Sequence, residues 1–491
     1  VLTRYRQWQI AGSLGGIFYS TVTPWQSSGG VQVMLGNYQH NSDIQYMGQV
    51  APVQLPAELD GYNIRRGFWE TSDLMYRFSL QVMARKIAHL KSNPLPPAEA
   101  AVPDMQQLPA VTKMVERPRP FEVDLAVLEG MVKELSVLFK DYKELFNSNV
   151  MLVAVEQDNY RLTSENVRLK FPLGLVGLTV SASVRTTDGS TVSDVLAISS
   201  LDNPADLPSI EELKKKVKDF ADNLMELKET PMIEEYYTGP VLFEGGAASR
   251  LFTDNLLSPG RLLALRTMAP ARGMLDEQLG RRIIDSRLTV KNYTTLAEYN
   301  GTPLFGCYEI DGDGVVPAAE LTLVENGVFK RMLNGRVPTL KAPESTGSAR
   351  FMISPDNPMA IVSPGTIHVQ ASKGVGPEKL KKALLKAAKE ADLEYAYIVR
   401  RIGGEASAVY KVNVKDGKEI RVRVNNLSAP ELTKLMDLKG ISSDERVMNY
   451  FPNGVPASLI YPSAIIVGDV EINRTTPKIE EEPVLKHPLQ R

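Results

Sequence analysis

Histidine and cysteine are the side chains best suited to hold a catalytic zinc ion, and this chain contains few of them. Its four histidines are His40, His89, His368 and His487, and Cys307 is its one cysteine. Local zinc motifs place two such ligands within a few residues of each other. No two of these residues lie that close in the sequence, which predicts structural or surface roles for the histidines.

A cysteine and a histidine can also act together as nucleophile and general base. Cys307 and His368 are the candidates for such a pair, but nothing in the sequence brings them together. A single cysteine more commonly serves as a small buried side chain. The sequence therefore favours a structural role for Cys307.

The segment Asp311-Gly-Asp-Gly314 has the alternating carboxylates that open a calcium-binding loop. A complete loop also needs a later Glu that supplies two oxygens to the ion, and none stands at that spacing. Asp and Gly are ordinary turn residues, so the segment favours a tight turn.

Composition limits the classes of function. The chain has 491 residues, 43% of them hydrophobic, and 56 basic and 58 acidic residues give a net charge of -2. This near balance gives no reason to expect nucleic acid or an anionic membrane as a direct partner. There is no run of about 18 apolar residues, so no transmembrane helix is predicted. No secretory signal is visible, which leaves a soluble protein that is cytoplasmic or exported with its signal removed.

Residues 1–230 are predicted to form an antiparallel sheet with helices packed on it. Thr71 or Ser72 can cap a first helix that runs to about Leu90. The apolar face of this helix is predicted to carry Leu74, Phe78, Val82 and Ile87.

A second helix is predicted from about Asp124 to Phe146, and a capping box of Ser209 and Glu212 starts a third. Seven prolines fall within about residues 94–120 and exclude a regular helix or central strand there. This proline-rich segment is therefore predicted to be an extended linker.

Residues 235–475 are predicted to form a larger, β-rich domain, and residues 476–491 an acidic tail that contains proline. Glu325-Asn-Gly327 is a strong hairpin signal. A lysine-rich amphipathic helix is expected over Glu378–Ala391. The fold class is therefore α+β, with a sheet-and-helix domain followed by a β-rich domain.

Several segments resemble, in one order along the chain, the TldD/PmbA family, which is also described as the "modulator of DNA gyrase" family. Together they cover most of residues 150–475. The segments are Asn166–Lys170, Gly239–Phe252, Tyr308–Pro317, Leu323–Leu333, Ser345–Phe351 and Tyr461–Ile472.

Active members of that family are metalloproteases whose helix carries two His and a Glu, with a late Cys as a further metal ligand. When this helix is placed by the Gly260 that follows it, Leu251, Phe252 and Leu256 stand at the His, Glu and His positions. None of these three side chains has a donor atom for a metal, and no cysteine follows Cys307. The resemblance is thus to the PmbA (TldE) branch, and it implies no catalytic, metal-binding or cofactor-binding residue.

Three charged residues near this helix, Glu244, Asp254 and Arg261, are candidates to line a peptide cavity. Arg261 could pair with a substrate carboxylate there. A position on the exposed surface is the alternative that these residue types favour.

The resemblance implies a non-catalytic subunit without a cofactor. Such a subunit forms a homodimer, or a heterodimer with a catalytic family member, and helps to hold an extended peptide or protein substrate, for example by adding it to a sheet edge. Two alternatives stay open: an active metallopeptidase with non-standard ligands, and a stand-alone peptide-binding or ligand-binding protein on the same fold.

Overall fold

The first half of the protein is organised around a seven-stranded sheet of mostly long, antiparallel strands. The computed structural model describes residues 1–43, 50–53, 55, 60–267, 274–353, 359–403, 406–424 and 427–473. The strands of this sheet are β1 (Leu2–Ser13), β2 (Gly16–Val31), β3 (Ala51–Val53), β4 (Thr112–Met114), β5 (Leu145–Leu162), β6 (Arg168–Arg185) and β7 (Thr191–Leu201). Their order is β3-β2-β1-β5-β6-β4, with β7 also paired to β6. The predicted antiparallel sheet is confirmed.

Two helices cover one face of this first sheet. The helices in this half are α1 (Gly61–Ser92), α2 (Pro97–Ala100), α3 (Leu125–Ser136) and α4 (Ile210–Glu229), with 3-10 turns at Val137–Asp141 and Pro204–Asp206. The apolar stripes of α3 and α4 pack with alternate residues of β5 and β6 in one core. Asp124 caps α3, and Ser209 with Glu212 forms the predicted capping box of α4.

The helix α3 ends earlier than predicted. Its last residue is Ser136 rather than Phe146, because the chain tightens into a 3-10 turn and then enters β5 at Leu145. Phe139 continues the helical spacing, but it lies in that turn and contacts the ring of Phe220 edge to face, at 6.4 Å between ring centroids. Phe139 is therefore apolar because it packs against α4, and its helical spacing from the residues of α3 does not mean that α3 continues.

The helix α1 differs from its prediction in both its start and its buried face. It begins at Gly61, capped by Asp60, and not at Thr71 or Ser72. Its buried residues are Met75, Ser79, Val82 and Lys86. Of the predicted buried face, Leu74, Phe78 and Ile87 are exposed. The reason is that α1 rests on the short β3 and one end of β2, a support too narrow to bury a wider stripe.

The proline-rich segment was predicted to exclude a regular helix, but it contains the one-turn helix α2, which Pro97 can start because the first turn of a helix needs no N–H there. No central strand occurs in the segment, since β4 lies at the edge of the sheet.

The proline-rich segment is anchored to both halves of the protein rather than loose. Asp104 is buried and forms a 2.8 Å salt bridge with Lys86 of α1. Its carboxylate also accepts a hydrogen bond from the backbone of Asn41 at 2.7 Å. Further along, the Gln106 N–H donates to the carbonyl of Arg336 at 2.8 Å. The segment thus ties α1 to the second half of the chain.

Within the described residues, the second half contains two six-stranded sheets, two two-stranded sheets and two helices. The strands are β8 (Tyr237–Glu244), β9 (Leu288–Tyr293), β10 (Glu298–Tyr299), β11 (Thr302–Pro303), β12 (Glu320–Glu325), β13 (Val328–Phe329), β14 (Ala349–Phe351), β15 (Ala360–Val362), β16 (Thr366–Ala371), β17 (Tyr395–Arg401), β18 (Ala408–Asn413), β19 (Glu419–Val422), β20 (Gly440–Ile441), β21 (Glu445–Tyr450), β22 (Ala457–Pro462) and β23 (Ala464–Ile472). One six-stranded sheet has the order β13-β12-β9-β16-β22-β21, and the other β19-β18-β17-β8-β23-β20. The strands β10 and β11 form one two-stranded sheet, and β14 and β15 form the other.

The two helices of this half lie on opposite sides of the β8 sheet. They are α5 (Gly246–Leu256) and α6 (Pro377–Glu390), and the 3-10 turns are Asp276–Gln278, Leu432–Leu435 and Pro452–Gly454. Because neighbouring strand residues face opposite ways, Val241 and Phe243 join the core that holds α5, whereas Leu242 packs under α6. The core around α5 also contains residues of the other sheet, such as Val290 and Leu459. The helix α5 is therefore enclosed between the two sheets.

The α+β class predicted from the sequence is confirmed by this arrangement. The hairpin at Glu325–Gly327 joins β12 and β13 as predicted, and α6 matches the lysine-rich helix to within a residue at each end. In the part of the chain described above, no helix is long and apolar enough to cross a membrane. The predicted tail, residues 476–491, lies outside the described residues.

We expect the Asp104→Ala variant to lower the free energy of unfolding by about 3–5 kcal/mol, because it leaves the buried Lys86 ammonium without its carboxylate. Urea denaturation of purified protein measures this loss. The matched control is Arg77→Ala, which removes the exposed ion pair with Asp73 on the same helix and should cost less than about 1 kcal/mol. Equal, small losses in both variants would contradict a buried anchor at Asp104.

Candidate functional site

The helix α5 is positioned by a sharp turn at the end of β8. Gly245 has a φ of 55° there, a backbone conformation that glycine adopts at low cost. A Cβ at this residue would lie 3.1 Å from a guanidinium nitrogen of Arg446. The turn lets the chain leave the β8 sheet and enter the space between the two sheets at once.

The three residues that the family resemblance placed on the metal helix all point into this core. Leu251, Phe252 and Leu256 each have a relative exposure of 0%. They pack in one cluster with residues from both sheets, among them Phe243, Tyr397 and Leu459. Their side chains carry no nitrogen, oxygen or sulfur, so these positions hold the sheets together and do not fit a metal ion.

The predicted cavity-lining residues are not joined to one another by any contact within the described residues. Glu244 accepts a hydrogen bond from Arg400 Nε at 3.0 Å. Asp254 is exposed and pairs with Arg250, one turn earlier on α5, at 3.0 Å. Arg261 is half-buried. A role for the three in lining a cavity stays a prediction.

His368 has a partner that the sequence did not suggest. It is buried on β16, and its Nε2 lies 2.9 Å from a carboxylate oxygen of Glu445 on β21. The hydroxyl of Tyr299 donates to the other oxygen of Glu445. Although burial opposes it, the hydrogen bonds from His368 and Tyr299 lower the pKa of Glu445 below its usual range. No sequence signal indicated this cluster, because its residues come from distant segments that only the folded chain brings together.

The other predicted ligands are dispersed. His40 and His89 are exposed on the N-terminal half, and His487 lies outside the described residues. Cys307 is exposed rather than buried, and no contact links it to His368. Within the described ranges, no three His, Cys, Asp or Glu side chains are grouped so that they could hold a metal ion.

The segment Asp311–Gly314 forms a turn, as predicted. Asp311 Oδ1 accepts hydrogen bonds from the N–H groups of Asp313 and Val315, at 2.9 and 2.8 Å. Its Oδ2 accepts from the Ala349 N–H at 3.0 Å. The oxygens of Asp311 are thus used by the backbone. Asp313 instead faces the first half of the protein, where it pairs with Arg161 at 3.0 Å.

Comparison with known proteins gives the family. The family model described as "PmbA/TldA metallopeptidase C-terminal domain" matches residues 237–473, from the start of β8 to the end of β23. The chain belongs to the TldD/PmbA family. No curated protein matches the chain closely enough to compare.

Solved structures with the TldD/PmbA fold extend the likeness to both halves of the chain. TldE from Thermococcus kodakarensis has a TM-score of 0.57 at 14% identity, over 96% of this chain and 95% of that one. A proposed modulator of a DNA gyrase from Thermotoga maritima has a TM-score of 0.54 at 14% identity, over 96% of this chain and 95% of that one. A proposed modulator of DNA gyrase from Bacteroides thetaiotaomicron has a TM-score of 0.52 at 12% identity, over 95% of this chain and 93% of that one. At these identities the likeness shows the fold.

We expect the stability of this TldD/PmbA protein to carry a pH dependence that comes from Asp311. Burial, together with the neighbouring Asp313, raises the pKa of Asp311 to about 7, whereas an Asp in an unfolded chain titrates near pH 4. The folded state therefore binds the extra proton between about pH 4 and pH 7, and its stability falls as the pH rises through that window.

The Asp311→Asn variant removes this titration. From pH 4 to pH 7, its free energy of unfolding should rise relative to the wild type by more than about 1.4 kcal/mol, which corresponds to one pKa unit. Urea denaturation of both proteins at several pH values measures the difference. Asp416→Asn, at an exposed turn, is the control. A difference that stays constant with pH would contradict the raised pKa.

Proposed function

We propose that this chain is a non-catalytic subunit of the TldD/PmbA family, which assembles as a dimer and helps to bind extended peptides for proteolytic processing. The observation that carries the proposal is the burial of Leu251, Phe252 and Leu256 in the core between two sheets. At these positions the chain uses its helix for packing. A metallopeptidase needs the same helix to present imidazole nitrogens and a carboxylate to a metal and a water molecule.

Assembly is supported by an exposed apolar stripe along α1. The α1 stripe consists of Tyr62, Trp69, Tyr76, Leu80 and Ile87, all of them exposed, with Trp69 at 71%. Their spacings of seven and four residues place them on one side of the helix. The buried residues of α1, such as Met75 and Val82, lie on another side. Packing among the described residues therefore does not explain the stripe.

The occupant that fits the α1 stripe best is the same helix of a second family subunit. A helix of 32 residues is about 48 Å long, so two such helices can bury a long seam. Aromatic residues are enriched in the centres of protein interfaces, and three of the five stripe residues are aromatic. A two-fold dimer is formed by the same patch on both subunits, and the α1 stripe can serve as that patch. A catalytic family member with a similar α1 would serve equally well.

Peptide binding is supported by the edge of the sheet that contains β21. This strand pairs with β22 along Glu445–Tyr450 and has no strand partner on its other side among the described residues. An extended peptide can add to such an edge through main-chain hydrogen bonds. The same strand carries Glu445, so the His368–Glu445 pair would lie beside the bound peptide.

The metal content and peptidase activity of the purified chain test the non-catalytic role. We expect substoichiometric zinc, iron and manganese by mass spectrometry, and no chelator-sensitive cleavage of unstructured peptides by the chain alone, because α5 offers no ligand. One metal per chain, lost together with peptidase activity on substitution of a single Asp, Glu or His, would instead establish an active metallopeptidase with non-standard ligands.

The oligomeric state of the full chain tests the α1 stripe. We expect a dimer whose dissociation constant rises at least about 100-fold in the Trp69→Glu, Tyr76→Glu variant, because buried aromatic anchors contribute about 2 kcal/mol or more each. Analytical ultracentrifugation over a range of concentrations measures the change. The control is Gln81→Glu, which adds charge on another exposed face of α1. A wild type that stays monomeric, and binds peptides as a monomer, would support the stand-alone binding protein.

A further inference from the structure

Arg350 is a buried cation without a carboxylate partner in the described structure. It lies on β14, within the second half of the chain, and is 8% exposed. Other buried arginines of this protein are paired with acids. Arg336 binds Glu165, Arg421 binds Glu226, and Arg423 binds Asp188. Arg350 forms no ion pair with a described residue, although an unpaired buried charge is costly.

Two backbone carbonyls and one aromatic ring hold the Arg350 guanidinium in a fixed orientation. Nη1 donates to the carbonyl oxygens of Pro364 and Pro456, at 2.7 and 2.6 Å. The guanidinium carbon lies 4.3 Å from the centroid of the Tyr308 ring. These contacts use the nitrogen Nη1 and one face of the planar guanidinium group. The edge formed by Nε and Nη2 has no hydrogen-bond partner among the described residues.

Tyr450 provides a second free donor beside this guanidinium. Its backbone pairs with Ala457, the residue after the Pro456 whose carbonyl binds Arg350. The Tyr450 hydroxyl is buried and has no hydrogen-bond partner in the described structure. Burial raises the pKa of Tyr450, and the positive charge of Arg350 opposes that rise only in part. The hydroxyl therefore keeps its proton at neutral pH and is available to donate it in a hydrogen bond.

The site adjoins the protein surface. Cys307 precedes Tyr308 and is exposed, and the charge of Arg350 acts on its thiol, lowering a pKa that burial raises. Ser363 precedes the Pro364 that binds Arg350, and its buried hydroxyl also lacks a partner. The guanidinium thus lies close enough to an exposed thiol to influence it, and a hydroxyl without a partner stands next in sequence to one of the carbonyls that hold the guanidinium.

We propose that Arg350 and Tyr450 form a binding site for a carboxylate group, which is carried by the peptide ligand of the proposed function. The two free N–H groups on the Nε–Nη2 edge match the two oxygens of a carboxylate. The Tyr450 hydroxyl adds a third donor. A phosphate group carries up to two negative charges and commonly meets several cations, whereas this site offers one. The identity of the carrier rests on the proposed function, but the binding of a carboxylate does not.

Four blocked peptides test the site and its source of carboxylate. We expect N-acetyl-tetra-alanine with a free C-terminus to bind the full chain about 10- to 100-fold more tightly than its C-terminal amide, because the charge-assisted hydrogen bonds are lost in the amide. Isothermal titration calorimetry measures both. An amide peptide with one internal Glu, compared with its Gln counterpart, shows whether a side-chain carboxylate is accepted as well.

Substitutions test whether the preference for the free acid over the amide depends on Arg350 and Tyr450. Arg350→Met should abolish it, and Arg350→Lys, which keeps the charge but not the fork, should reduce it. Tyr450→Phe removes a hydroxyl that has no partner, so the variant should fold like the wild type and still lose about 3- to 10-fold in affinity for the free acid. Arg400→Met, which removes a half-exposed cation on β17, is the control and should preserve the preference.

The possible outcomes separate this inference from the proposed function. Equal binding of acid and amide, unchanged in Arg350→Met and Tyr450→Phe, would overturn the carboxylate site and leave peptide binding intact. A preference that depends on Arg350, found in a chain that neither dimerises nor supports proteolysis, would uphold the site and count against the proposed function. If no peptide acid binds at millimolar concentration, the carboxylate site is wrong.

Discussion

The burial of α5 between two six-stranded sheets is the constraint on which the second half of this protein depends. Its apolar residues fill the space where the two inner sheet faces meet, and Leu251, Phe252 and Leu256 are fully removed from water. Protein interiors are packed to crystal-like density, so replacing such side chains with polar ones would be strongly unfavourable. In this member of the TldD/PmbA family, the helix at this place therefore serves stability.

Arginine–carboxylate pairs then fix the first half of the protein against this core. Arg401 binds Asp194, and Arg423 binds Asp188, across the contact between the β8 sheet and the first sheet. On the other side of the contact, Arg161 binds Asp313 and Arg336 binds Glu165. The proline-rich segment adds an anchor at Asp104. Because partly buried pairs of this kind are directional, they define one relative position of the two halves.

Two groups of residues take no part in the contacts that hold the halves together, namely the α1 stripe and the pair of Arg350 and Tyr450. The α1 stripe exposes aromatic residues that a soluble chain normally covers. Among the described residues, the hydrogen bonds of Arg350 come from Nη1 alone, and the buried Tyr450 hydroxyl has no partner. Their locations differ, since the stripe lies on the first half and Arg350 in the second. Assembly and ligand binding can therefore be examined separately in the same molecule.

Strong local signals were enough to predict three features from the residues alone, namely the capping box at Ser209, the hairpin at Glu325–Gly327 and the helix near Glu378. The absence of a metal-donor atom from the side chains of Leu251, Phe252 and Leu256 also follows from residue type alone. Local signals succeed where neighbouring residues satisfy each other's hydrogen bonds or share one face.

Which apolar residues are buried, and which polar residues pair with each other, became known from the packing of the folded chain. Leu74 and Ile87 have the spacing of a buried face, yet they are exposed because α1 rests on a narrow support. His368 meets Glu445, and Arg350 lies near Tyr450, only because strands from distant parts of the chain become neighbours. Burial and pairing across long sequence separations depend on how whole elements pack, and no local pattern of residues contains that information.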